Sequence, residues 1–301
     1  MVFAWWNTSL SPVGNERSDD RHKEIAGNIV KSLINDFHVD CLALGEVTDA
    51  NLKFLLEKSD KKSLASFDGT HRQGKLQFDT GVIYDSDRLT IMDHESFTNS
   101  HAKRSFKVAH RIDFGSFSSG CLFHIFVSHW PSRGGSGGQE ENIQFREKIA
   151  DRLLEQVQKI DEQSPNAAII LLGDFNDEPF DKSLSSNLTA TRDRHLTKTK
   201  KALLYNPFWR QLGESEPHSF LNPKKSAAGS YFYRKGTFSR WHTFDQILFS
   251  AAFLGNSEWH LNEQGTIILR PEFLIDLVQN ENFFFDHLPV LGAIERKIYI
   301  E

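Results

Sequence analysis

Along the whole chain, apolar runs of strand length alternate with amphipathic helical patterns, and one run after another stops on a carboxylate, carboxamide or imidazole. VFAWW starts beside Met1 and ends at Asn7; CLALGEV ends around Glu46; CLFHIFVSH ends at His129. AAIILLG runs into Asp174 and Asn176 within GDFND, Asp245 opens DQILFS inside HTFDQILFS, and Asp286 and His287 precede the run of HLPVLGAIE. TGVIY, RLTIM and VAHRIDF read as further strands. Between them, residues 20–37 place Ile25, Ile29, Leu33 and Phe37 four apart, and Thr48 is suited to cap a second helix. A glycine-rich loop, SRGGSGG, leads into the longest helical pattern, roughly 139–163, with Ile149, Leu153, Val157 and Ile160 on one face. Strands interleaved with helices predict stacked mixed sheets in a layered α/β domain. No repeat and no Pro- or Ser-rich linker divides residues 1–301, so one domain is expected. Strand ends of a packed sheet gather along one edge, where these polar groups can converge on one cleft.

Composition narrows the setting. At 39% hydrophobic and 25% charged residues the chain reads as globular. Its two cysteines, Cys41 and Cys121, sit in apolar runs and read as core thiols, which suits a reducing compartment. MVFAWWNTSLSP has neither a basic n-region nor a signal-length apolar stretch, and no window reaches membrane-span length; a cytoplasmic protein with no membrane partner is expected. The net charge is −5, but residues 191–240 hold eleven Lys/Arg against three acidic residues, a +8 segment in a chain whose remainder is −13. Charge separated in this way can bring a polyanion to one face.

Each polar strand end has an ordinary reading taken singly: Gly-Asp is a turn, a terminal Glu is solvated, a terminal His is a cap. Their joint order is much harder to produce by turn chemistry. Asn7 in WWN, Glu46 in LGE, His129 in SHWPSR, then GDFND, FDQILFS and DHLPV together resemble the motif set of the endonuclease/exonuclease/phosphatase superfamily, from about residue 3 to 296. GDFND and DHLPV are the most specific, and GSYFYRKGTFSRWHTFDQILFS resembles bacterial members. The resemblance implies a four-layer α/β/β/α sandwich, two packed mixed sheets flanked by helices, with the site at one sheet edge.

The expected chemistry is phosphodiester hydrolysis, which needs charge neutralisation, an aligned water and a protonated leaving oxygen. The donors are oxygen-rich, with no cysteine motif, which suits Mg²⁺ or Mn²⁺. Glu46 is the expected metal ligand, with Asn7 and Asp286 beside it. By the resemblance, His287 contacts the scissile phosphate and Asp245 holds its ring, as a carboxylate on one ring nitrogen fixes the other. Asp174 orients or deprotonates the water, Asn176 binds a phosphate oxygen, and His129 bonds the phosphate or assists the leaving group. Arg133 is a candidate phosphate clamp. Arg146 is a candidate substrate contact, although its first reading is an intrahelical ion pair with Glu141, Glu147 or Asp151. Asp79 lies near the position of a carboxylate that pairs with the cleft histidine in some nucleases.

Three departures from the pattern matter. Phe285 stands where Ser or Thr is usual, Glu46 follows Gly45 where many members have Gln, and Ser9 replaces the acidic residue of abasic-site endonucleases. The run after Gly-Asp is not that of inositol phosphatases, and no signal peptide or apolar membrane loop suggests a secreted sphingomyelinase. Lys200, Lys201, Lys224 and Lys225, interleaved with aromatics including Trp209 and Tyr231, favour a nucleic-acid partner, DNA over RNA. The alternatives are a phosphatase or phosphodiesterase on a small nucleotide or sugar phosphate and, more remotely, a catalytically silent adaptor. There is no NTP-binding motif, so any ATP-driven step needs a partner protein.

Overall fold

The computed structural model describes residues 1–101, 104–134, 139–221, 225–255 and 257–297. Two large mixed sheets face each other. The first is ordered Trp259–Ile268, Val290–Arg296, Val2–Asn7, Cys41–Gly45, Thr80–Asp85, Leu64–Asp68. The second is ordered Ala190–Thr191, Leu204–Tyr205, Asp245–Phe249, Ala168–Asp174, Leu122–His129, Arg104–Ser116, Leu89–His101. The expected layered α/β sandwich is the fold observed. No described helix is long and apolar enough to cross a membrane.

Alternation along the strands divides the core. Ile170 and Leu172 face the first sheet, whereas Ile169 and Leu171 join Ile149, Leu153, Val157 and Ile160 of the long helix Gln139–Gln163. Between the sheets Phe3 meets Phe123 edge to face at 5.8 Å. The helix predicted over 20–37 runs Asp20–Asn35, capped by Asp19, so Phe37 lies beyond its end. Thr48 caps the helix Asp49–Lys58 through a reciprocal bond with Asn51. RLTIM leads into, and VAHRIDF forms the middle of, longer paired strands, and Trp259–Ile268 is an edge strand that sequence reading missed because WHLNEQGTII is largely polar.

Register sets the site. Asn7 pairs with Gly45, which places Asn7 beside Glu46, while Asp174 pairs with both His129 and Asp245 in one row. Gly45 is required here: a Cβ on it would lie 2.6 Å from the Trp5 ring, which passes over it toward the second sheet. Gly45→Ala should therefore destabilise the fold by roughly 1–3 kcal/mol, the cost of overpacking. Denaturant melts showing wild-type stability would mean that Trp5 can move aside freely.

Candidate active site

Asn7, Glu46, His129, Asp174, Asp245, Asp286 and His287, from six strand ends, meet in one cluster in which Asn7, Asp174, Asp245 and His287 are buried and the other three half-buried. Asp245 accepts from His287 Nδ1 at 2.8 Å and from Trp5 Nε1 at 2.7 Å, so both of its oxygens are engaged. The other ring nitrogen of His287, Nε2, lies 3.7 Å from Asp174 Oδ2 and 3.9 Å from Asp286 Oδ1. Trp6 Nε1 donates to the His287 carbonyl at 3.2 Å and fixes the backbone beneath the ring. Opposite, His129 Nδ1 lies 3.2 Å from Asp79 Oδ2, and its Nε2 is 3.9 Å from Asp174 Oδ2 and 4.0 Å from Glu46 Oε1. Two imidazoles, each backed by its own buried carboxylate, thus face Asp174 from two sides.

Asn7 Nδ2 bridges the acids, donating to Glu46 Oε1 and Asp174 Oδ2 at 3.3 Å each. Ser9 donates to Asp286 at 2.7 Å. A hydroxyl therefore does stand beside this Asp-His pair, but it comes from Ser9, while Phe285 stacks on Trp6 with ring centroids 6.1 Å apart. Glu46 and Asn176 both adopt left-handed backbone (φ 53° and 51°), a conformation that costs a non-glycine residue about 1 kcal/mol.

Electrostatics follows from burial. Burial pushes the Glu46 carboxyl above its usual range, with His129 opposing and Asp286 adding to the rise. Asp174 is likewise raised, by burial against the pull of His287. Burial works against a charged His287, yet Asp245 and Asp174 outweigh it and raise the ring from 6.5 to about 10. His129 is raised too, its burial outweighed by Asp79. Asp79 stays ionised despite burial because Lys107 and His129 hold it below the usual range. A raised imidazolium pKa contributes stability that is fully present below about 6.5 and is lost as pH rises through about 10. In the metal-free protein the His287 ring should titrate near that upper value by NMR, and Asp245→Asn should move it markedly down.

Asp174, Asp245 and His287 also offer atoms within 4.8 Å of one another, as a metal-binding trio would. Because both oxygens of Asp245 are occupied by His287 and Trp5, we read this trio as a hydrogen-bonded relay. Hard oxygen donors suited to a divalent cation are offered by Glu46, Asp286 and the adjacent Asp174 oxygen, like-charged acids only partly neutralised by the two histidines. Asn7, expected as a ligand, turns Nδ2 to the acids, and its Oδ1 accepts from Ser9 N at 3.1 Å.

The other expected residues surround this cluster or lie away from it. Asn176 donates its backbone N–H to Asp174 at 2.9 Å and one amide hydrogen to the Trp130 carbonyl at 2.9 Å, closing the GDFND loop beside Asp174. Arg133 pairs with Asp181, lies 3.3 Å from Asp177 and covers the Phe244 ring at 4.7 Å. Arg146 is buried and pairs with Asp177 at 2.9 Å across the loop, which makes it a strut for GDFND and not an accessible substrate contact. The pairing expected for it with Glu141, Glu147 or Asp151 was drawn from helical spacing, and Asp177 is reached only in the folded chain. Lys200 and Lys201 follow the helix Arg194–Thr199, which packs on residues 251–254 at the end of its strand away from Asp245. Lys225 pairs with Asp276, and Lys224 lies outside the described residues. Among the described residues, Lys200 and Lys201 thus follow a helix remote from Asp245, and Lys225 is engaged by Asp276. Sequence reading missed Trp5, Lys107 and the cleft position of Tyr231, whose ring lies 4.6 Å from that of His287.

The endonuclease/exonuclease/phosphatase family pattern matches residues 14–281. No curated protein sequence matches the chain. Among solved structures it is similar to a mannosyl-6-phosphatase of Bacteroides thetaiotaomicron, with TM-score 0.63 and 14% identity over 98% of this chain and 99% of that one. It is similar to the human Nocturnin catalytic domain with bound sulfate (TM-score 0.60, 18% identity, 99% and 94% covered). D. rerio TDP2 complexed with a single-strand DNA product gives TM-score 0.61 at 16% identity, with 98% of each chain covered. At these identities the likeness is one of fold.

Proposed function

The chain belongs to the endonuclease/exonuclease/phosphatase family, and on that premise we propose that it is a Mg²⁺-dependent phosphodiesterase acting on nucleic acid, DNA before RNA. Membership makes it a metal-dependent hydrolase of phosphate esters; the metal and the substrate are our reading. The observation that carries it is the pair of carboxylate-backed histidines facing Asp174. His287, held charged by Asp245, donates to a non-bridging phosphate oxygen and stabilises the charge that grows there. Asp174, its pKa raised toward that of a general base, orients the attacking water and takes its proton. His129, backed by Asp79, supplies a proton to the leaving oxygen. Glu46 and Asp286 would hold the cation, with Asn7 positioning the acids through Nδ2, and the cation would supply charge neutralisation at the phosphate. Asn176 and Arg133 shape the wall beside Asp174 through the loop they brace.

Nucleic acid is favoured by the aromatic wall next to His287, where Tyr231 lies 5.2 Å from Phe244, and by a TDP2 relative of the same fold crystallised with single-strand DNA. A small sugar phosphate or nucleotide is the second reading, favoured by the absence of Lys200, Lys201 and Lys225 from the cleft and by the sugar phosphatase of like fold. The deciding experiment incubates the protein with plasmid, single-stranded DNA, RNA and mannose 6-phosphate, with Mg²⁺ or with chelator. Mg²⁺-dependent cleavage of a polynucleotide is expected. Turnover of the sugar phosphate alone would replace the first reading by the second.

A further inference from the structure

The basic segment of the sequence does build one concentrated site, from arginines rather than lysines. At the edge of the second sheet a cavity of about 620 Å³ is bordered by Arg192, Arg194, Arg210, Tyr205, Trp209 and Glu263. Arg194 and Arg210 reach Glu263 at 2.8 and 3.0 Å, and the Tyr205 hydroxyl donates to it at 3.1 Å. One carboxylate thus holds two guanidiniums in place, leaving the cavity with a net positive charge. The third guanidinium, of Arg192, lies over the Trp209 ring, its Cζ 4.7 Å from the centroid. A positive cavity floored by an indole suits a phosphate joined to a planar base.

The cavity is coupled to the active site by short links. Phe180, 54% exposed, has its ring 6.3 Å from Trp209 and belongs to the loop that begins at Asp174. Asn206, at the cavity wall, donates to Gln246 at 2.7 Å, and Gln246, the neighbour of Asp245, donates to the Asp177 carbonyl at 2.8 Å. The turn carrying Trp209 and the loop carrying Asp174 are therefore tied to one another through a residue adjacent to the His287 relay.

We infer that this arginine–tryptophan cavity is a second phosphate subsite, taking a backbone phosphate and adjoining base of a polynucleotide strand whose scissile bond lies at His287. The inference rests on the nucleic-acid reading above and specifies which surface holds the strand away from the cut. Neutralising two of the three guanidiniums should remove up to one released counterion each from the salt dependence of binding.

The test uses the full chain with Mg²⁺, Arg192→Gln/Arg210→Gln, and a DNA 12-mer beside bis(p-nitrophenyl) phosphate, a diester too short to span both sites. The ratio of kcat/KM for the 12-mer to that for the small diester should fall at least tenfold. The log–log salt slope of 12-mer binding should flatten by about one to two. Arg192→Lys should restore most of the slope but, lacking a planar guanidinium to stack, not the whole ratio. A folded double variant with unchanged ratio and slope overturns the subsite while leaving the nuclease reading intact. A wild-type protein that hydrolyses the small diester but binds and cuts no oligonucleotide overturns both. If the ratio is unchanged yet calorimetry shows arginine-dependent binding of free 5′-AMP, the cavity serves a free nucleotide and the strand assignment is wrong.

Discussion

His287→Ala should lower kcat by about a hundredfold or more with little change in KM, the scale of losing a charge-stabilising donor that acts in the transition state. The structure gives the reason for so large an effect. His287 Nε2 is the charged side-chain donor nearest the Asp174 carboxylate, 3.7 Å from Oδ2, and its charge is held by Asp245. The ring itself is buried and held by Asp245, so its removal leaves no other side chain in its place. Asp174→Asn should be comparably severe, because the amide keeps the shape but takes no proton. Asp245→Asn should be milder: the carboxamide oxygen can still accept from Trp5 or from the ring, while the pull that raises the His287 pKa is lost. The signature is thus an order of severity, with His287→Ala and Asp174→Asn both worse than Asp245→Asn, read by steady-state kinetics on a single diester. Equal rates for wild type and His287→Ala would remove the relay from the chemistry.

The parts of this arrangement that sequence reveals are those tied to strand ends. GDFND and DHLPV mark where apolar runs stop, and the register of a sheet carries such endpoints to one edge without further information. That logic reaches Asn7, Glu46, His129, Asp174, Asp245 and His287. It does not reach Trp5, because a tryptophan inside an apolar run reads as core, and only the glycine at position 45 lets its indole cross to Asp245. Asp79 was placed only loosely, since its pairing with His129 depends on the register of Thr80–Asp85 against its neighbours. The basic segment is less legible, because net charge along a segment has no direction in space. Lys225 pairs with Asp276, whereas Arg194 and Arg210 are drawn together by Glu263, a residue outside the segment, and Arg192 lies over Trp209.

Chelation should abolish hydrolysis, Mg²⁺ or Mn²⁺ should restore it, and Glu46→Gln should be inactive yet at least as stable as the wild type when both are metal-free. The last part follows from sign. Glu46 is buried against Asp286 and Asp79, and its folded-state pKa is raised above the ordinary 4.5. An acid raised by folding binds protons more tightly in the native state, so at neutral pH its ionised form counts against the fold. Its left-handed backbone adds to that cost, and the substitution leaves this second contribution in place. Exchanging the carboxylate for an amide therefore relieves repulsion without opening a cavity. A bound cation reverses the balance, because it stabilises the ionised cluster and raises the melting temperature in proportion to its occupancy. Wild type should accordingly melt higher with Mg²⁺ than with chelator, while Glu46→Gln should melt at the same temperature in both. Full activity in excess chelator would sink the metal assignment for the whole site. A variant still stabilised by Mg²⁺ would move the ion away from Glu46, toward Asp174 and the relay. Residues kept in a costly state by the fold are those expected to act, and Glu46 combines burial, like-charge neighbours and an unfavourable backbone in one position.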